Sequence, residues 1–219
     1  MRKILTGVAA AAVFAFSASA QVLAFDGIAA GADQTPIGNF YNDGSFPNFG
    51  ITFFGNALAL GSMAGDCGGS GSFAQQPSGC GVLVFLTGGS TGMNRAAGFT
   101  TGFSLFYSAI DNPGSLQVWS GLNGTGSVLG TRLLPVTPRG SAAACGGQAF
   151  CPFVAAGVGF AGTALSVTFA GVADQIALDD VTSGSVTPGA VVPEPSTYSP
   201  MATGLVGLAG VARRRRAQR

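Results

Sequence analysis

Apolar and polar residues alternate along short runs of this chain, and glycine, asparagine, aspartate or proline separates the runs. Leu116, Val118 and Ser120 alternate with Gln117 and Trp119. The chain then turns at Asn123-Gly124 and returns as Val128 to Leu134. An Asn-Gly pair between two such runs is a strong hairpin signal, because both residues tolerate positive φ. Further on, Leu165, Val167 and Phe169 share one phase, and Ala164, Ser166 and Thr168 share the other. That period of two fits a half-buried strand. Ile176, Leu178 and Asp180 likewise share a face. Runs of this kind predict strands near Val22–Asp26, Ile51–Phe54, Ala57–Leu60, Val82–Leu86, Phe99–Tyr107, Ser115–Ser120, Ser127–Leu134, Val154–Phe160, Ala164–Ala170 and Gln175–Thr182. Long helical periods with a charged face are missing, and no fixed-period repeat is visible. The expected fold class is all-β, an antiparallel β-sandwich.

The two ends read differently. Arg2 and Lys3 precede an apolar run from Ile4 to Phe16, and Ala18-Ser19-Ala20 follows. This is the layout of a secretory signal peptide over residues 1–20, with a mature start at Gln21. It implies the secretory translocon and signal peptidase as partners. The folded domain is expected over 21–186. A linker over 187–197 holds three prolines and the motif Val192-Pro193-Glu194-Pro195. Its prolines favour extended backbone around Glu194. A short apolar helix is expected over 198–212, below the ~20 residues of a full membrane span. Arg213, Arg214, Arg215 and Arg216 open a basic tail over 213–219 and suit a cytoplasmic stop.

Motif, apolar run and arginine cluster, in that order from Val192 to about Arg216, resemble the PEP-CTERM sorting signal of Gram-negative bacteria. The resemblance implies recognition and cleavage near Pro-Glu-Pro by an exosortase. It also implies transient anchoring in the inner membrane, then delivery to the cell surface or the extracellular polysaccharide.

Setting these ends aside changes the charge. From Gln21 to Val192 there are three arginines and eight aspartates, so the net charge is −5, with no lysine, glutamate or histidine. An acidic body lacks the basic footprint that nucleic acid requires. Its 172 residues suffice for one domain with a core. Cys67, Cys80, Cys145 and Cys151 are an even count in a chain expected to be exported, which points to disulfides. Of three connectivities, the local one is expected, Cys67–Cys80 with Cys145–Cys151, because each pair brackets a glycine-rich segment. Zinc is disfavoured, since there is no C-x₂-C and no histidine.

Two motifs suggest enzymes and lack the accompanying residues. Gly88-Gly89-Ser90-Thr91-Gly92 matches G-x-S-x-G, but a nucleophilic serine needs a base and the body has neither histidine nor lysine. A flexible turn between strands is expected there. Gly157 to Gly162 matches G-x-G-x-x-G, but a strand-like run follows where a dinucleotide site needs a helix. A hairpin or bulge is expected instead. Asp179 and Asp180 are adjacent, so in a regular strand they cannot flank one bond. The body is therefore expected to be non-enzymatic.

Asp26 ends the first predicted strand, and Asp179 and Asp180 lie in the last. Terminal strands of a sandwich are often neighbours, so Asp26 with Asp179 or Asp180 is a candidate structural calcium site. No other cofactor is indicated. Phe25-Asp26-Gly27, Phe103 to Tyr107, Leu116 to Gly124 and Ile176 to Asp180 together resemble the galactose-binding-like jelly-roll domains. That resemblance implies a sandwich and, at most, a sugar-binding role. Trp119 and Tyr107, with Tyr41 and Phe40, are the aromatics available for stacking on a sugar. Three functions follow: a non-catalytic cell-surface or matrix component, a carbohydrate-binding module for extracellular polysaccharide, or, least supported, an extracellular hydrolase.

Overall fold

The computed structural model describes residues 20–28, 34–44, 48–64, 67–140 and 143–189. The expected signal peptide, the Pro-Glu-Pro motif, the apolar run and the arginine cluster lie outside the described residues. Among the described residues no helix is long and apolar enough to cross a membrane. The compact unit that contains the body spans Ala20–Val192.

Its strands are β1 (Gln21–Leu23), β2 (Thr35–Pro36), β3 (Ile51–Gly55), β4 (Leu58–Gly61), β5 (Gly81–Val84) and β6 (Ser90–Phe99). They continue as β7 (Gly102–Ala109), β8 (Gly114–Trp119), β9 (Val128–Leu134), β10 (Val154–Gly159), β11 (Ala164–Ala170) and β12 (Ile176–Ser183). One sheet runs β10-β7-β12-β5-β4-β2, with β1 also paired to β12. The other runs β3-β6-β11-β8-β9. All ten pairings of these strands are antiparallel.

The core lies between the sheets. Phe103 and Leu105 of β7 and Leu178 of β12 face Met93 of β6, Leu116 and Val118 of β8, and Val167 and Phe169 of β11 across it. Phe25, Tyr41 and Phe53 close one side, with ring centroids 5.9 to 6.3 Å apart. Such aromatic pairs add to simple area burial.

The sheet alternation was legible where strands are regular, and it broke where register shifts occur, two of which bear on the core. One lies between Ala164 and Ser166, so Ala164 enters the core and Leu165 stays half-buried. The other lies between Asp179 and Thr182, where Asp180 adopts φ 46°. Val181 thereby takes the core position that plain alternation assigned to Asp180.

Two further expectations are corrected. Ser90, Thr91 and Gly92 are not a turn; they begin β6, which is ten residues long. The turn is at Gly88, with φ 78°. β6 escapes hydrophobic patterning because Met93 is its one large aliphatic side chain. Gly92 is small for a reason: a Cβ there would overlap the Phe54 ring and come within 2.6 Å of the Val167 carbonyl. Gly157 to Gly162 likewise form no hairpin. β10 and β11 belong to different sheets, so the segment between them crosses the sandwich. The Asn123-Gly124 turn holds as expected, with φ 56° and 67°, and joins β8 to β9.

A second layer covers the outer face of the seven-stranded sheet. β5 is buried on both faces: Leu83 points into the sandwich, while Val82 and Val84 pack outward with Phe73 and Ala177. The covering segments are the two cysteine-bounded loops. Their disulfides are Cys67–Cys80 and Cys145–Cys151, the expected local pairing, with Cα separations of 5.4 and 5.7 Å.

Candidate functional site

The glycines of the first disulfide loop let its backbone lie directly on β4. Gly71 donates its N–H to the Gly61 carbonyl at 2.9 Å, and Ser62 donates to the Cys80 carbonyl at 2.9 Å. A Cβ on Gly69 would overlap the Gly61 backbone. The two loops are also tied to each other. Phe73 and Phe150 form a parallel bridge, and Phe150 donates to the Ser72 carbonyl at 3.0 Å. Ala149 donates to Ser72 Oγ at 3.1 Å.

Between these loops and the sheet lies a cleft of about 540 Å³. Pockets of about 300–1,000 Å³ are the size that takes small molecules. Its apolar lining includes Leu60, Val84, Ile176 and Ala177 from the sheet, Leu86 just after β5, and Phe73 and Phe150 from the loops. Its polar lining is Gln34, Ser70, Ser72, Arg139, Asp174 and Gln175. Arg139 Nη1 donates to Asp111 Oδ2 at 3.0 Å, with both side chains more than half exposed. The Gln175 amide nitrogen donates to the Asp174 carbonyl at 3.1 Å. Its Oε1 is buried and has no hydrogen-bond partner among the described residues. The cleft thus offers a greasy floor with a rim of amide, hydroxyl and charged groups of both signs.

None of this was legible in the strand pattern. The cleft exists because two loops distant in sequence fold over one sheet face. A partial signal was available: one phenylalanine, Phe73, lies inside the first cysteine loop, and another, Phe150, sits beside Cys151.

The three aspartates do gather in one place, around Ser78 to Gly81. Asp26 Oδ1 accepts N–H from Cys80 at 2.7 Å and from Gly81 at 2.9 Å. Asp179 is fully buried and accepts from the Ser78 N–H at 3.1 Å, the Ser78 hydroxyl and the Asp180 N–H at 2.7 Å. Burial pushes its carboxyl up to about 7, against the lowering effect of these donors. Burial also raises Asp180, the Ser78 hydroxyl opposes it, and the charge of Asp26 adds to the rise. At the residues of the calcium expectation, Asp26 Oδ1 and Asp179 Oδ2 accept backbone N–H groups, and among the described residues no three Asp, Glu, Cys or His side chains form a metal-holding group. The trio is a clasp that fastens the first disulfide loop to the segment after β1 and to β12.

Trp119 and Tyr107 are not brought together. Tyr107 lies in the core between the sheets, 5 % exposed, and burial raises its phenol. Trp119 is half-buried on the outer side of the five-stranded sheet, where its indole N–H donates to Thr168 Oγ1 at 2.9 Å. Tyr41 is buried too, and its hydroxyl accepts the Phe25 N–H at 3.0 Å. A groove framed by Trp119 and Tyr107 therefore does not exist, because each sheet places one of them on a different face.

No curated protein matches the chain. Among solved structures, CsCBM6-3 from Clostridium stercorarium in complex with cellobiose is similar at 14% identity and a TM-score of 0.34, covering 52% of this chain and 80% of that one. A carbohydrate-binding module of Cellvibrio mixtus lichenase 5A in complex with cellotriose has 14% identity and a TM-score of 0.34, covering 59% and 87%. The family 11 carbohydrate-binding module from Clostridium thermocellum, in complex with a mixed-linked tetrasaccharide, has 9% identity and a TM-score of 0.32, covering 78% and 98%. Likeness at this level carries no argument about ligand or chemistry. The match at the C-terminal end is to a family model, the PEP-CTERM protein-sorting motif, over residues 191–216. The chain is thus an all-β body followed by a PEP-CTERM protein-sorting motif, which marks it for export and for exosortase processing.

Proposed function

We propose that the body is a non-catalytic component of the cell surface or the extracellular polysaccharide, released there after exosortase cleavage near Glu194. The sorting motif at residues 191–216 carries this reading. Two features support it. Between Gln21 and Val192 the chain has no histidine, lysine or glutamate to serve as a general base. The disulfide-held outer layer suits an oxidising compartment. The test follows the chain in an exporting cell that has an exosortase. The mature protein is expected outside the inner membrane and without Arg213 to Arg216, by intact-mass measurement. A surface form that retains those arginines would overturn the processing step. Loss of sorting on deleting residues 191–216, with export retained, is the expected companion result.

A second reading is supported by the cleft beneath the disulfide loops. Its combination of apolar floor and polar rim suits a carbohydrate, so the body would also hold matrix polysaccharide. A solution titration of the protein with a saccharide panel tests this, and binding to none of them would remove it.

A further inference from the structure

We propose that the cleft between the two disulfide loops and the outer face of the seven-stranded sheet is a binding site for a short neutral saccharide. The proposal rests on the saccharide-binding reading above and adds that the ligand is short and uncharged.

The class follows from the cleft's chemistry. A pyranose ring has an apolar C–H face and an equator of hydroxyls. Phe150 at the cleft, Leu60 on β4 and Leu86 just after β5, all half-buried, offer the apolar surface that such a face covers. Gln175 adds an amide at the cleft, its nitrogen donating to the Asp174 carbonyl at 3.1 Å, and Ser70 and Ser72 add hydroxyls for the sugar's equator. The rim's charges argue for neutrality. Arg139 is already paired with Asp111, and Asp174 also lines the cleft. An anionic sugar would have to displace Asp111, and a cationic ligand would meet Arg139. A nucleotide finds no unpaired cation here, and an acyl chain would bury against a rim that is largely polar.

The topology supplies a second argument. β1 pairs with the far end of β12, Gln21 opposite Ser183, so the chain enters and leaves the body at one end of the sheet. The segment after β12 is pinned there. Gly184 donates to the Gly102 carbonyl at 2.9 Å, and Ser104 Oγ donates to the Ser185 carbonyl at 2.9 Å. The cleft lies at the opposite end of β12, at Ile176 and Ala177. The strand separates the two by roughly 23 Å at about 3.3 Å per residue. A saccharide can therefore reach the cleft without crossing the end from which the chain leaves the body.

The experiment is isothermal titration of the full chain, purified in detergent from cells that form its disulfides. The probes are neutral disaccharides (cellobiose, maltose, laminaribiose) and an acidic one (digalacturonate). Binding of a neutral probe is expected, weakened about tenfold by Phe150→Ala, as for truncation of an anchoring aromatic. Arg139→Ala, an exposed change that keeps the packing, is expected to weaken it several-fold. It stands as the deciding variant if Phe150→Ala does not fold. Trp119→Ala, on the other sheet, is expected to leave it unchanged. Loss of binding on Trp119→Ala, with both cleft variants intact, would overturn the site and leave the saccharide reading standing. Preference for digalacturonate would overturn the neutral class. Binding to no probe would overturn both proposal and reading.

Discussion

The Asp179 carboxyl sits fully buried on β12 and takes N–H donors from Ser78 and Asp180. Those donors favour its ionised form, but burial outweighs them and lifts its pKa from 3.8 to about 7. Asp180 and, through it, Asp26 face the same pocket of charge, with the Tyr41 phenol nearby. The sign follows from proton counting. Between about pH 4 and 7 the folded state holds a proton on Asp179 that the unfolded chain has lost, so stability falls as pH rises through that window. Thermal melts from pH 4.5 to 8 should show a falling Tm, and Asp179→Asn should flatten the profile. A rising Tm, or an unchanged slope in the variant, would contradict this account. Gly79 offers a steric test of the same clasp. It has φ 29°, and a Cβ there would overlap the Asp26 carboxylate. Gly79→Ala is expected to cost more than the roughly 1–2 kcal/mol of a left-handed alanine alone. Gly88→Ala, at φ 78° with nothing near its Cβ, should cost only that. Urea midpoints separate the two. The carboxylates themselves were visible in the sequence. That they fasten a loop was not, because a clasp needs the backbone N–H groups of Ser78 to Gly81 brought to them from a distant segment.

At the scale of elements, the disulfide loops are stapled to a sheet face that would otherwise expose Val82, Val84 and Ala177. In the chain-entropy model the 13-residue Cys67–Cys80 closure is worth about 3 kcal/mol and the six-residue Cys145–Cys151 closure about 2. Replacing each pair with alanine should therefore lower stability in that order, read from urea midpoints. The first replacement should also raise binding of an apolar dye, because it frees the loop that covers Val82 and Val84. Strands with regular alternation, such as β8 and the outer half of β11, were legible from their residues. β6 was not. Its Ser-Thr-Gly-Met-Asn-Arg sequence reads as loop, and it is a strand because β3 and β11 pair with it on both sides. The register shifts that bulge β6 and β12 were hidden for a similar reason. A bulge is chosen by the neighbouring strand, and the residues of the bulged strand alone do not announce it.

For the whole molecule, the pairing of Gln21 with Ser183 sets the ends of the body side by side. A circular permutant that joins Gly189 to Gln21 through a short Gly-Ser linker, opened between Asn123 and Gly124, should therefore fold. Its far-UV circular dichroism is expected to match the parent's, with a Tm lower by a few degrees at most. Failure to fold would mean that the β8–β9 turn is needed to set register. The sequence by itself determined the all-β class, the even cysteine count, the acid charge of the body and the sorting motif at its end. Each of these is written in local composition or short linear order, which a chain carries whether or not it is folded. Only the tertiary structure decided that the cysteine loops form a second layer, that a cleft opens beneath them, that Trp119 and Tyr107 part company, and that Asp26, Asp179 and Asp180 become a clasp. Those are meetings between segments tens of residues apart, settled by strand order and register, and no local pattern encodes them.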